Sequence, residues 1–175
     1  AQALTRQANE LLGADLAVVA RHPLPDTLTQ AATRLNLQRA HTVTFLSMAV
    51  AGENNQLAEV KAVSNAYPLR GQLRIAERPF AAGTVTREVP APGTVWLEPR
   101  LMTQLALRVN DTLSLGAAQF RVATVLVQEP DRGGDFFSIA PRLLMNLRDL
   151  PATQLLQAGS RVSYRLQLAG AAQAV

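Results

Sequence analysis

Hydrophobic positions at the start of the chain recur at helical spacing and then switch to alternation. Leu4, Ala8, Leu11 and Leu12 share one face of residues 2–12, which predicts a helix, and Gly13 is placed to end it. The apolar run ADLAVVA (14–20) predicts a strand. In PLPDTLTQAATRLN (23–36) the stripe Leu28, Ala31, Ala32 and Leu35 predicts a second helix, with Asp26 or Thr27 as its cap. RAHTVTFLSMAVAG (39–52) predicts a strand with Val43 and Phe45 inward and Leu46 as a third inward candidate. GENNQ (52–56) reads as a turn. QLAEVKAVSNAYP (56–68) follows as a strand with Leu57, Val60 and Ala62 inward, ended by Pro68. The order through residue 70 is α-β-α-β-β.

From Leu69 to Pro92 the pattern breaks up among Pro, Gly, Arg and Glu, leaving short strand candidates at QLRIA (72–76) and TVTREV (84–89). TVWL (94–97) predicts a strand, and Pro99 opens a helix after it. RVNDTLSLGAAQFRVATVLVQEP (108–130) predicts a hairpin: TLSL, a turn at Gly116, then QFRVATVLV with Phe120, Val122, Val125 and Val127 on the buried side. DFFSIA (135–140) reads as a strand and PRLLMNLRDL (141–150) as a helix with Pro141 in its first turn. SRVSYRLQL (160–168) reads as a strand alternating Val162, Tyr164, Leu166 and Leu168. The expected fold class is α+β, with a β-rich stretch set into an α/β one.

Composition narrows the function. At 175 residues the chain buries roughly 70% of its unfolded surface, so it needs no staple to fold. It has no cysteine, which excludes disulfides, thiolate metal sites and cysteine nucleophiles. The net charge is +4, and of seventeen basic residues only Lys61 is lysine, a bias read as compositional. The arginines are scattered from Arg6 to Arg165 and aromatics make up 5%, a pattern that opposes a nucleic-acid interface. No stretch approaches the roughly 20 apolar residues of a membrane span. The first residues read as the inside of a helix, with no basic start and apolar core, so an excised domain is expected.

Catalytic chemistry has few candidates. His22 precedes Pro23 at a turn and His41 starts a strand, with no spacing that joins them as ligands. Ser47, Ser64, Ser114, Ser138, Ser160 and Ser163 all lack the GxSxG setting of a hydrolase nucleophile, and no phosphate-binding loop is present. VQEPDRGGDFF (127–137) gathers Glu129, Asp131 and Asp135 around Gly133-Gly134. Counted as a calcium loop from Asp131 it places Gly133, Phe137 and Arg142 where ligands belong, so Pro130 to Gly134 reads as a flexible or tightly turned crossover. On that reading Arg132 pairs with Asp131 or Asp135 at the surface, for about 0–1 kcal/mol. Asp131→Ala is then expected to leave stability unchanged. No catalytic, cofactor-binding or metal-binding residue is assigned.

Several stretches together carry a family pattern: ANELLGADL, EVKAVSNAYPLRG, the long segment from PAPGTVWLEPRL to SIAPRLLMNL, and GSRVSYRLQLAG. The chain resembles the periplasmic domain of an ABC transporter permease of the MacB/FtsX superfamily, of the YbbP type. The resemblance implies a domain inserted between the first two membrane helices. It implies a porter-like α/β subdomain at residues 1–70 and 131–175, truncated at its C-terminal side, and a Sabre-like β-rich insertion at 71–130. It implies no enzyme activity in this chain and no cofactor. A separate cytoplasmic YbbA-like ATPase would drive periplasmic movement through the permease's transmembrane helices, called mechanotransmission, at the periplasmic face of the inner membrane. The implied partners are a hydrophobic or lipid-like substrate and a periplasmic esterase or lysophospholipase. The rival readings are an FtsX-like regulator that activates a periplasmic hydrolase, and a free-standing lipid-binding protein or esterase.

Overall fold

The computed structural model describes residues 14–132, 140–157 and 159–170. The expected helix at 2–12, and all of the expected strand at 135–140 except Ala140, lie outside them. Fourteen elements follow in order: β1 (Leu16–Ala20), α1 (Asp26–Arg34), β2 (Gln38–Ala51), β3 (Asn54–Val63), β4 (Leu73–Ala76), β5 (Thr84–Thr86), β6 (Thr94–Leu97), α2 (Pro99–Gln104), β7 (Thr112–Leu115), β8 (Ala118–Gln128), β9 (Arg142–Asn146), a 3-10 turn (Leu147–Asp149), α3 (Leu150–Thr153) and β10 (Val162–Ala169). The strands hydrogen-bond in the order β1-β10-β2-β3-β9-β6-β8-β4-β5, with β7 bridging β2 and β8. The α+β expectation holds.

That bridge closes a ring. β2 pairs β3, β3 pairs β9 in parallel, β9 pairs β6, β6 pairs β8 in parallel, β8 pairs β7, and β7 returns to β2 through Ala49↔Leu115 and Val50↔Ser114. The larger core fills the ring, with Val60, Leu97, Leu115, Phe120, Val125 and Met145 among its members, and α2 packs Leu101 and Met102 onto it. Each fully buried side chain of this size contributes about 1.5–3 kcal/mol. The second core lies on the opposite strand faces: Ala40, Val63, Trp96, Leu126 and Leu144 pack with Tyr67 from the connection after β3 and with Leu73 of β4. The two long strands splay: β10 and β1 continue from one end of β2, β4 and β5 from the far end of β8.

The hairpin reading is confirmed. Gly116 makes the turn at φ 57, and a Cβ there would collide with the Thr153 carbonyl. In β8 the inward set jumps from Val122 to Val125 because the pairing with β6 slips between Val95 and Trp96. A bulge of that kind returns the strand to its inner face.

Other expectations need correction. Residues 142–146 form a strand, not a helix. Leu143 and Met145 enter the first core and Leu144 the second, so the strand is buried on both faces and shows no alternation. Such a run cannot be told from a buried helix by period, and Pro141 sits before a strand here, not in a helix's first turn. Helix α1 starts after Pro25, which occupies the cap position, and neither Asp26 nor Thr27 caps it with a side chain. Leu35 follows the helix at 71% exposure instead of extending its buried stripe. Asn54 and Asn55 belong to β3, leaving Gly52-Glu53 as the whole turn. Leu46 and Leu57 face outward, with Met48 and Val50 beside them, because the inward register is carried by Val43, Phe45 and Ala49.

Candidate functional site

The acidic stretch after β8 is not a surface crossover. Glu129 and Asp131 are buried, and they meet Lys61, the chain's only lysine. Strand β3 sets Glu59 and Lys61 two residues apart on one face. Parallel pairing puts Arg142 of β9 opposite Glu59. Tyr67, from the connection after β3, leans in over Lys61, whose Nζ lies 4.6 Å from the ring centroid.

Each cation is paired with two carboxylates. Lys61 Nζ donates to Asp131 at 2.7 Å, to the Tyr67 hydroxyl at 2.9 Å and to Glu129 at 3.2 Å, which uses all three of its protons. Arg142 donates from Nε to Glu129 at 2.6 Å and from Nη1 to Glu59 at 2.8 Å. The Tyr67 hydroxyl lies 2.5 Å from Asp131 and 3.1 Å from Glu129; its one proton serves the closer carboxylate. Gln167 of β10 donates to Asp131 at 3.1 Å. Arg132 faces away from Asp131: it donates to Glu98 at 3.2 and 3.3 Å and to the Ala140 carbonyl, and it lies 3.7 Å from Glu59. Glu98 in turn accepts the Arg142 backbone amide at 2.6 Å.

Electrostatics follow the geometry. Burial alone would raise the Glu129 pKa, but Lys61 and Arg142 outweigh it and hold the carboxyl at about 2. Burial disfavours the Arg142 cation, yet Glu129 and Glu59 raise its pKa. Burial, then Glu129 and Asp131, push the Tyr67 phenol well above its usual range, so it stays a neutral donor. The site is therefore a set of fixed, paired charges.

The other candidates stay apart from it. Ser64 accepts the backbone amide of His41 at 2.9 Å, not its ring. Burial and Arg39 lower the His41 pKa. His22 is exposed, and its Nδ1 sits 3.3 Å from the Pro23 carbonyl. Asp135 and Ser138 lie outside the described residues. Among the described residues no group of three or more His, Asp or Glu is placed to hold a metal ion.

A smaller ionic cluster joins the first and last described strands. Arg70 grips Asp15 from Nε at 3.1 Å and Nη2 at 3.0 Å, and Nη2 also donates to the Gly170 carbonyl at 3.0 Å. The Gly170 amide donates to Asp15 at 2.9 Å, and the Asp15 amide to Leu168 at 2.9 Å. Residues 15 and 170 are therefore clasped side by side.

The sequence is 37% identical, over 167 residues and 95% of its length, to the uncharacterized ABC transporter permease YbbP of Escherichia coli (strain K12). Over that length the chain is similar to one stretch of an ABC transporter permease. It spans about a fifth (20%) of the length of that YbbP relative. No protein-family model matches it. The periplasmic region of MacB from Actinobacillus actinomycetemcomitans shares its fold, with a TM-score of 0.50 and 12% identity over 95% of this chain and 80% of that one. Among the described residues no helix is long and apolar enough to cross a membrane.

The Glu129 pairing predicts acid sensitivity. Its pKa lies below the ordinary 4.5, so its stabilisation is complete above about pH 4.5 and is lost as pH falls toward 2. The gap between 4.5 and about 2 corresponds to roughly 3 kcal/mol. Urea unfolding from pH 7 to pH 2.5 should show the parent losing stability steeply below pH 4.5. Glu129→Gln should start lower and fall less; parallel curves for the two would refute the assignment.

Proposed function

We propose that this chain is the periplasmic domain of an ABC transporter permease, set between membrane helices at the outer face of the inner membrane. It carries no catalysis of its own. A separate cytoplasmic YbbA-like ATPase hydrolyses ATP, the membrane helices carry the movement outward, and the domain transmits it by mechanotransmission to a hydrophobic or lipid-like substrate. A periplasmic esterase or lysophospholipase fits the same system as a partner.

The observation that supports this reading most directly is the clasp. A domain inserted between two membrane helices needs its two connections at one end, and Arg70 ties residues 15 and 170 together there. The buried network adds stiffness. It draws Glu59, Lys61, Arg142 and Gln167 from the stretches read as porter-like, and Glu98 and Glu129 from the stretch read as Sabre-like. On this reading residues 71–130 are a Sabre-like insertion by chain order that shares one closed ring with the porter-like strands, and the two move as one body.

The test uses the whole permease with its ATPase in lipid nanodiscs. Arg70 is partly exposed, with 29% of its side chain accessible, so Arg70→Ala should leave the fold intact. It should keep most of the ATPase rate while lowering ATP-driven release of a hydrophobic probe several-fold. Unchanged release would remove the clasp from the mechanism. ATP-independent hydrolase activation by the domain alone would favour the FtsX-like regulator reading.

A further inference from the structure

Phe80 contradicts two preferences at once. It is 81% exposed, the most exposed large apolar side chain among the described residues. It also holds φ 67, a left-handed conformation that bulky residues rarely adopt. Strain of this kind persists only where the surroundings impose it, and it concentrates at sites of recognition. The surroundings do impose it. Ala81, the next residue, packs against the larger core, and its amide reaches back to the Arg78 carbonyl. Gly83 is pressed against the Ile75 carbonyl so closely that a Cβ would collide, and Arg74 donates to the Gly83 carbonyl at 3.2 Å. The loop between β4 and β5 is pinned on both sides of an aromatic ring that points at solvent.

We propose that Phe80 is a docking anchor, and that its occupant is an apolar socket on the remainder of the same permease polypeptide. Charge argues against a lipid surface. Glu77, Arg78, Arg87 and Glu88 are all exposed around the loop and balance, so the loop lacks the positive field that anionic headgroups select. One acyl chain gives only marginal membrane binding, and a phenyl ring buries less. A preorganised aromatic anchor is instead the usual centre of a protein interface. Size argues for a partner in cis. Besides Phe80 the loop offers Val85, 44% exposed, on a strand of three residues, too little surface for a stable complex between free proteins. A tethered partner meets an effective concentration near millimolar, at which one anchor suffices. About four fifths of the length of the YbbP relative lies outside this chain. The inference rests on the proposed permease reading, through its similarity to YbbP, and not on force transmission.

The test uses the purified full-length permease carrying Phe80→benzoylphenylalanine, irradiated and digested for mass spectrometry, with the exposed Gln119→benzoylphenylalanine as control. The expected result is a cross-link from position 80 to a residue outside 1–175 of the same polypeptide, absent from the control. Cross-links confined to lipid, links to a second polypeptide, or no link at all would overturn the proposal. Hydrogen exchange gives an independent reading. Amides 77–87 should exchange about tenfold faster in full-length Phe80→Gly than in the parent, while the variant's melting temperature does not fall, because glycine accepts φ 67 freely. Equal exchange in the two proteins would also overturn it.

Discussion

Lys61→Met is expected to cost about 3–5 kcal/mol of folding stability, the usual result of removing one partner from a buried ionic cluster. Methionine matches the lysine stem in length and apolar character, so packing loss is small and the charge is what disappears. Glu129 keeps Arg142, but Asp131 keeps only Tyr67 and Gln167, and two buried carboxylates face each other without a cation between them. Asp131→Ala is expected to be costly too, which reverses the sequence-based expectation of silence: it leaves Lys61 with one carboxylate and leaves Tyr67 only the longer bond to Glu129. Urea denaturation at pH 7 measures both. The double variant Lys61→Met with Asp131→Asn should recover part of the loss, because it removes opposite charges together. An unchanged midpoint for Lys61→Met would mean that the network contributes nothing.

Val125→Asp should be more damaging still, at more than about 4 kcal/mol, and is expected to leave little folded protein at 37 °C. Val125 is fully buried in the ring, pairing Leu97 of β6 on one side and Ala76 of β4 on the other. Val125 faces the apolar core inside the ring, whereas the ionic network sits on the opposite side of the sheet. Gln119→Asp on the same strand, at an exposed position, should shift stability by less than about 0.5 kcal/mol. Similar melting curves for the two variants would show that the bulge does not turn Val125 inward.

Strands with one wet face were legible in the sequence; the bulge in β8 was not read, and only the pairing slip explains why Val122 and Val125 share a side. β9 was not, because burial on both faces erases the alternation. The ring was not, because two residue pairs at Ala49 and Val50 close it and nothing local marks them. The site was half legible. Glu129, Asp131 and the solitary Lys61 all stand out in the sequence, but read separately: an acid-Gly-Gly stretch resembles a surface turn, and one lysine among arginines resembles composition. Only the parallel β3–β9 pairing, which no short-range pattern encodes, brings Arg142 to Glu59 and turns the isolated charges into a network. The family pattern was legible because it is spread along almost the whole chain instead of resting on one motif.

On the proposed reading, the clasp at Asp15 and Gly170 would give the domain a directional mechanical response. Pulling the two stems apart would unzip β1 from β10 one ladder bond at a time, beginning at the Arg70 grip, and a load taken serially meets little resistance. Driving both stems together along the strand axis instead puts β10 in shear against β2 across eight residue pairs that share the load. On that reading the domain would be compliant to divergence of its two ends and stiff to their joint stroke. A piston-like motion would pass through it, while a scissoring one would be absorbed at its root.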